Sequence, residues 1–288
     1  MQRRLFLLSL LLITSFFAKA SERTTIFVSI LPQKFFVEKI AGDKVDVTAL
    51  VGPGDNPATF SPGQKTMAKL LSSSVYFSIG VPFEHAVLRK LRQLQPDLTI
   101  VATDAGITKR DISDDHHHSG EHSEEDQNKD PHIWLSPLNA KKIASNILQG
   151  LIAIDSHNKV IYTNNYNHLI ADLDQLHHVL SERLRPLTNR SFLSYHPSWG
   201  YFSDLYQLKQ LALETEGKPP RGKQMVHLIE QAKQQGITTI LIQKQFNTAL
   251  VDLFAKEINA SVTVVDPLAE DYLNNLRQFS EHIAGSNL

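Results

Sequence analysis

Three side chains that can bind a metal lie in three separate loops of the chain, at His132, His196 and Asp266. His196 directly follows a predicted strand at 191–195, and Asp266 directly follows another at 262–265. Since parallel strands present their carboxyl ends at one edge of a sheet, these loops are expected to converge. Two imidazoles and one carboxylate suit Zn²⁺, Mn²⁺ or Fe²⁺. Taken singly, each residue also has a structural interpretation, as a packed histidine, a capping histidine or an aspartate that begins a helix.

A histidine-rich segment lies just before His132. Residues 111–129 are polar and acidic, show no apolar periodicity, and contain four closely spaced histidines, His116, His117, His118 and His122. This composition predicts a surface loop. Its imidazoles are neutral near pH 7 and favour weak capture or sensing of zinc or copper. A solvated linker that carries histidines by chance is the alternative.

The composition excludes several other kinds of chemistry. The 288 residues include no cysteine, which removes disulfides, iron–sulfur clusters, thiolate zinc sites and a nucleophilic thiol. The net charge of −1 gives no overall basic character for binding nucleic acid. The chain also contains no His-Glu-x-x-His, Gly-x-Ser-x-Gly or Walker sequence. We therefore expect binding rather than catalysis, with a metal-dependent hydrolase or an adhesive platform as alternatives.

The first twenty residues have the pattern of a signal peptide. Arg3 and Arg4 precede an apolar run at 5–17, and Ala18-Lys19-Ala20 is an A-x-A cleavage sequence. An uncleaved anchor is the alternative, but the run is shorter than the roughly 20 residues that a spanning helix needs. We expect cleavage after Ala20 and export to a bacterial periplasm.

The rest of the chain alternates short β-branched runs with helical segments, which predicts βα units and parallel sheets. Apolar residues at spacings of 4, 3, 4, 3 and 4 from Tyr162 to Leu180 predict one long helix between two such regions. We therefore predict an α/β fold with an N-terminal lobe at 21–155, a linking helix at 156–187 and a C-terminal lobe at 188–288. Each lobe has a parallel sheet flanked by helices, and the cleft between them is the expected site.

The chain resembles the periplasmic metal-binding receptors of zinc and manganese ABC transporters, the cluster that includes ZnuA and TroA. The resemblance rests on five segments: Ser29-Ile30-Leu31-Pro32-Gln33, Ile79-Gly80-Val81-Pro82-Phe83-Glu84, Asp130-Pro131-His132-Ile133-Trp134-Leu135, Tyr195-His196-Pro197 and Val265-Asp266-Pro267-Leu268. It implies two lobes with the metal between them, and His132, His196 and Asp266 as metal ligands. It also implies a divalent cation as cargo and an ABC permease as partner. We expect a monomer, and the histidine-rich loop is typical of the zinc-type members.

Two positions depart from the pattern of this family. Ala58 stands where the family has its first metal-binding histidine, in Asn56-Pro57-Ala58-Thr59-Phe60-Ser61-Pro62. The sequence Gln243-Lys244-Gln245-Phe246 replaces a Glu-Pro-Gln-Phe that many zinc-type members carry. The fourth ligand is therefore open, with water, a loop histidine, Glu214 or Glu216 as candidates. Weaker zinc binding, a preference for another metal, or a degenerate site that takes a chelated metal or another solute are the expected consequences.

Overall fold

Two four-stranded parallel sheets form the framework of the molecule in a computed structural model that describes residues 23–112, 129–214, 217–243, 246 and 248–285. The predicted signal peptide, the four loop histidines and Glu216 lie outside these residues. The strands are β1 (Thr24–Val28), β2 (Val45–Ala49), β3 (Val75–Ser78), β4 (Thr99–Ala102), β5 (Ser191–Ser194), β6 (Lys209–Ala212), β7 (Thr239–Ile242) and β8 (Ser261–Val264). The helices are α1 (Leu31–Ala41), α2 (Gln64–Leu71), α3 (Glu84–Leu94), α4 (Pro137–Ile154), α5 (Lys159–Leu184), α6 (Gly200–Tyr206), α7 (Lys223–Gln234), α8 (Thr248–Ile258) and α9 (Tyr272–Gly285).

Both sheets have the same strand order. The first is β2-β1-β3-β4 and the second is β6-β5-β7-β8, and each neighbouring pair is parallel. In this order the chain reverses its direction of winding between β1 and β3, and again between β5 and β7. Ligands of open parallel sheets bind at such points, beyond the carboxyl ends of the strands. The predicted fold class, two parallel α/β lobes with a long helix, is confirmed.

Helix α5 links the two lobes and is built as its sequence pattern predicts. It begins at Lys159, after a short 3-10 turn, and ends at Leu184, just before Pro186. The predicted stripe is buried, with Tyr162 and the leucines at 169, 173, 176 and 180 at 1% exposure or less. Asp155 holds the start of the helix by accepting a hydrogen bond of 2.7 Å from the Tyr162 hydroxyl.

Two further helices have a proline at their start. Helix α1 begins at Leu31 with Pro32 in its first turn, where a proline is tolerated because the N–H that it lacks would have no partner within the helix. Helix α4 was not predicted at all. Its sequence does carry the signals of a helix, because apolar residues recur at helical spacing from Ala140 to Leu151, Lys142 and Gln149 lie exposed on the opposite face, Ser136 caps it and Pro137 starts it.

The C-terminal helix α9 packs against the first lobe as well as the second. The Tyr272 ring lies 4.8 Å from that of Phe36, and its hydroxyl donates to the carbonyl of Trp134 at 2.7 Å. On its other side, Phe279 stacks on Trp199 with ring centroids 3.5 Å apart. One hydrophobic core therefore runs from β1 through α5 to α9, while a second fills the face of the β5–β8 sheet that carries α7 and α8. Within the described residues, no helix is long and apolar enough to span a bilayer.

A buried carboxyl group lies where the first sheet reverses its winding. Glu84 is 2% exposed and accepts hydrogen bonds from Ser29 Oγ and from the backbone N–H groups of Ile79 and Gly80. Burial raises the pKa of Glu84 to about 7, and the nearby charge of Asp104 adds to this, while the hydrogen bonds act in the opposite direction. The carboxyl thus fastens the loops after β1 and β3 to each other.

The ionisation of Glu84 should make stability depend on pH. Native Glu84 keeps its proton up to about pH 7, whereas the ordinary pKa is 4.5, so the free energy of unfolding falls as pH rises through this interval. We expect Glu84→Gln to remove this component. The unfolding free energy of the native sequence, relative to that of the variant, should fall by on the order of 2 kcal/mol between about pH 5 and 8. Urea unfolding of both proteins at the two pH values measures it.

Glu230→Gln is the matched control, because Glu230 lies exposed on α7. It should change the unfolding free energy by the same small amount at both pH values. An equal pH dependence in the native sequence and in Glu84→Gln would contradict the assignment to Glu84.

Candidate metal centre

Two histidines meet between the lobes. His132 begins a short 3-10 turn that follows the first sheet, and His196 follows β5 in the second sheet, at its point of reversed winding. Their Nε2 atoms lie 3.4 Å apart, and the two rings are inclined at 70°. Both side chains are mostly buried, at 16% and 25% exposure. The structure thus brings together two of the three residues that the sequence indicated.

Asp130 holds the imidazole of His132. Its Oδ1 accepts 2.8 Å from His132 Nδ1 and 2.9 Å from the backbone N–H of the same residue. Burial lowers the pKa of His132, and the bond to Asp130 only partly opposes this, so the imidazole is neutral near pH 7. Asp130 itself is fully buried. Burial alone would raise its pKa, but the bonds from His132 and the charge of Arg110 outweigh this and hold the pKa below its usual value.

Glu214 does the same for His196. Its carboxylate Oε1 pairs with His196 Nδ1, and the side chain of Glu214 is only 5% exposed. Phe246 stacks on the other side of the imidazole, with ring centroids 5.9 Å apart. Ser194 Oγ and the Ser198 N–H donate to the carbonyl of His196 at 2.9 and 2.8 Å. The ring is therefore fixed at Nδ1, on its face and through its backbone.

The two carboxylates determine which ring nitrogens are free. An ionised carboxylate only accepts hydrogen bonds, so in a neutral imidazole it keeps the proton on Nδ1 and leaves a lone pair on Nε2. Two acceptors that face each other at 3.4 Å cannot bond to each other, but they can share a cation. For a tetrahedral ion with Zn–N bonds of 2.0–2.1 Å, two nitrogens lie about 3.3 Å apart. The pair is therefore arranged as two ligands of one metal ion, each supported by a carboxylate.

Asp266 lies in an adjoining loop, but its carboxylate is used locally. Its Oδ1 accepts 2.9 Å from the Leu268 N–H, as an aspartate does in a tight turn. The loop is tied to the site because Trp134 Nε1 donates 2.8 Å to the carbonyl of Pro267, and the Trp134 ring lies 5.3 Å from that of His132. Within the described residues, no three His, Asp or Glu side chains are grouped to hold one metal. The role of Asp266 as a metal ligand stays a prediction.

The structure describes one candidate for the fourth ligand, Glu214, and the residue at the family's first ligand position, Ala58. Glu214 stands behind His196 at Nδ1, not beside the free Nε2. Ala58 is exposed in a turn held by its own N–H bond to Asn56 Oδ1, and this turn keeps its packing through Phe60, whose ring lies 5.1 Å from that of Phe83. Glu216 and the loop histidines lie outside the described residues. Asp111 and Lys129, the described residues on either side of the histidine-rich segment, form a bridge with each other.

Sequence analysis missed that Asp130 supports the ring of His132. It considered Glu214 as a metal ligand rather than as the support of His196. A signal for the first was available, since an aspartate two residues before a ligand histidine can reach both its N–H and its ring. The pairing of Glu214 with His196 depends on the register of β5 against β6, which brings the residues after both strands side by side. That register is a property of the sheet and not of either segment.

The comparison with known families agrees with this geometry. The family described as the zinc-uptake complex component A, periplasmic (ZnuA), matches residues 26–286. The chain belongs to the ZnuA family. This confirms the resemblance to periplasmic metal receptors and decides against the hydrolase alternative, because the ZnuA family is described as an uptake component and not as an enzyme.

Individual members of the ZnuA family resemble the chain along most of its length. It is 27% identical over 259 residues to the zinc-binding lipoprotein AdcA of Streptococcus pneumoniae (strain ATCC BAA-255 / R6), a match that covers 87% of the chain and 51% of AdcA. The chain thus spans about half the length of that relative. A crystal structure of ZnuA is 35% identical with a TM-score of 0.85, covering 93% of this chain and 100% of that one. A zinc-bound ZnuA deletion mutant is 35% identical with a TM-score of 0.83, covering 92% and 98%.

The tautomer of His196 can be tested directly. Replacing Glu214 by methionine keeps the length of the side chain but removes the acceptor at Nδ1. We expect the neutral ring of His196 to shift from the Nδ1–H form toward the Nε2–H form, which a free imidazole favours in water. Long-range ¹H–¹⁵N correlation spectra of the metal-free protein distinguish the two forms.

His132 serves as the internal control in the same spectra, because Asp130 still holds it in the Nδ1–H form in the Glu214→Met protein. If His196 keeps its Nδ1–H form without Glu214, the carboxylate does not set the tautomer.

Proposed function

We propose that this member of the ZnuA family captures a divalent transition-metal ion, zinc foremost, between its two lobes and delivers it to the membrane permease of an ABC transporter. The observation that carries the proposal is the pair of His132 and His196, whose Nε2 lone pairs face each other at the separation that a tetrahedral ion requires. Neutral, carboxylate-supported imidazoles are the form in which histidine binds zinc.

The relatives support zinc as the cargo. One is a zinc-binding lipoprotein, and a structural neighbour at 35% identity holds zinc. An imidazole pair with oxygen ligands also accepts manganese or iron, so these remain alternative cargoes. We propose Asp266 as the third ligand, because its loop is fastened beside His132 through Trp134. Rotation of its carboxylate away from the Leu268 N–H would free the oxygens.

The cellular setting is proposed from the sequence together with the family. The ZnuA family is described as periplasmic, in agreement with export by a signal peptide cleaved after Ala20. We propose that the chain works there as a monomer and docks on its permease. His116, His117, His118 and His122 would bind metal ions at affinities below that of the cleft.

A second cargo is favoured by one observation. Ala58, at the position of the family's first histidine ligand, is exposed and offers only a methyl group. With His132, His196 and Asp266 as ligands, such a centre leaves at least one coordination position for a group from outside the protein. A metal ion that arrives with a small chelating molecule would use this position for a donor atom of that molecule.

Metal binding should depend on both histidines. We expect the purified chain to bind one Zn²⁺ at a site that His132→Ala or His196→Ala weakens by more than the roughly 10- to 100-fold that loss of an outer-shell partner costs. Calorimetric titration of the metal-free proteins with Zn²⁺, Mn²⁺ and Fe²⁺ measures the affinities and ranks the cargoes.

His178→Ala is the matched control, because His178 is an exposed histidine on α5, and its loss should leave the affinity unchanged. A tight site that survives in the His132→Ala/His196→Ala protein would refute the proposal. Tight binding only when a chelating amino acid accompanies the metal would identify the chelated cargo.

A further inference from the structure

Arg110 connects the support of His132 to the opposite lobe. Its Nη1 lies 3.3 Å from Asp130 Oδ2, the oxygen that His132 does not use, and its Nε donates 2.8 Å to Asp204 Oδ2 on α6. Its backbone N–H donates 3.1 Å to the hydroxyl of Tyr201, which in turn donates 2.8 Å to the carbonyl of Asp130. One guanidinium therefore joins a buried carboxylate of the first lobe to a helix of the second.

Helix α6 begins close enough to Arg110 for this contact only because its first residue is glycine. A Cβ at Gly200 would collide with the guanidinium of Arg110 and lie 2.8 Å from Asp130 Oδ2. The same helix starts four residues after His196, whose carbonyl accepts 2.8 Å from the Ser198 N–H in the connecting turn. One end of the Arg110 contact thus lies behind His132, and the other lies on the helix that starts four residues after His196.

We infer that Arg110 is a positioning residue of the metal centre, a strut that fixes the separation of the two imidazoles by holding Asp130 against helix α6. The inference rests on the proposed function, because only a bound metal ion gives the separation a use. Without metal, the two Nε2 lone pairs repel each other, and the rings gain by moving apart. The strut opposes this movement, so the ion meets a pair that is already spaced for it.

The guanidinium suits this role better than an ammonium group would. Arginine is planar and presents several N–H groups in fixed directions, so it can bind Asp130 and Asp204 at the same time. A lysine at this position can reach one carboxylate as a point charge, but it cannot hold both in a fixed geometry. The two variants therefore separate the effect of charge from the effect of bridging.

The test compares four variants of the full chain with the native sequence by titration with Zn²⁺ and with Co²⁺, whose visible absorption reports coordination geometry. We expect Arg110→Gln to lower the Zn²⁺ affinity roughly tenfold, as loss of an outer-shell partner does, and to alter the Co²⁺ spectrum. Arg110→Lys should recover part of the affinity. Asp204→Asn, which removes only the arm to α6, should cost less than Arg110→Gln and shift the spectrum in the same direction.

Arg185→Gln is the control, because the Arg185 side chain is 73% exposed and pairs only with Glu182 on the surface among the ion pairs of the described residues. The Zn²⁺ affinity and the Co²⁺ spectrum of this variant should equal those of the native sequence. An unchanged affinity and spectrum in Arg110→Gln would overturn the strut. If that variant does not fold, Asp204→Asn decides, since its carboxylate is 59% exposed and its loss exposes no core. Metal binding by the His132→Ala/His196→Ala protein with the affinity of the native sequence would overturn the proposed function instead.

Discussion

The proposed metal centre depends on an arrangement that is unfavourable by itself, two imidazole lone pairs directed at each other across 3.4 Å. Nothing in either ring favours this position. It is maintained by buried carboxylates, Asp130 behind one ring and Glu214 behind the other, which fix each ring by its far nitrogen. Those carboxylates are in turn tolerable in the interior because they are hydrogen bonded. The residues packed around the two histidines therefore serve largely to hold these two buried carboxylates in place.

The repeated strand order explains how two distant parts of the sequence reach one point. In each lobe, the parallel strands end at the same edge of the sheet. Loops, rather than further paired strands, follow them there. The first lobe contributes a loop stiffened by the 3-10 turn after His132, and the second contributes the turn after β5. Trp134 joins the two sides directly by its bond to the carbonyl of Pro267.

The sequence was sufficient for the fold but only partly for the centre. Alternating β-branched runs and the stripe of α5 led to two parallel lobes and a linking helix, because these patterns express which face each element buries. Helix α4 was overlooked, although its apolar residues recur at helical spacing from Ala140 to Leu151 with Lys142 and Gln149 exposed on the opposite face. Among the site residues, His196 was predictable from its position after a strand, and His132 from the segment Asp130-Pro131-His132-Ile133-Trp134-Leu135 that carries the family resemblance. The pairing of Glu214 with His196 was not, because it follows from strand register and from a contact between separate loops.

The position of helix α9 bears on how the molecule can form. This last helix completes the packing around Phe36 and Trp134, which lie early in the chain, and Lys34 pairs with Glu270 across 236 positions of sequence. Contacts between such distant residues form late and slow the folding of a chain. A partly synthesised chain lacks helix α9, so the packing around Phe36 and Trp134 would be completed only after the last helix has been made.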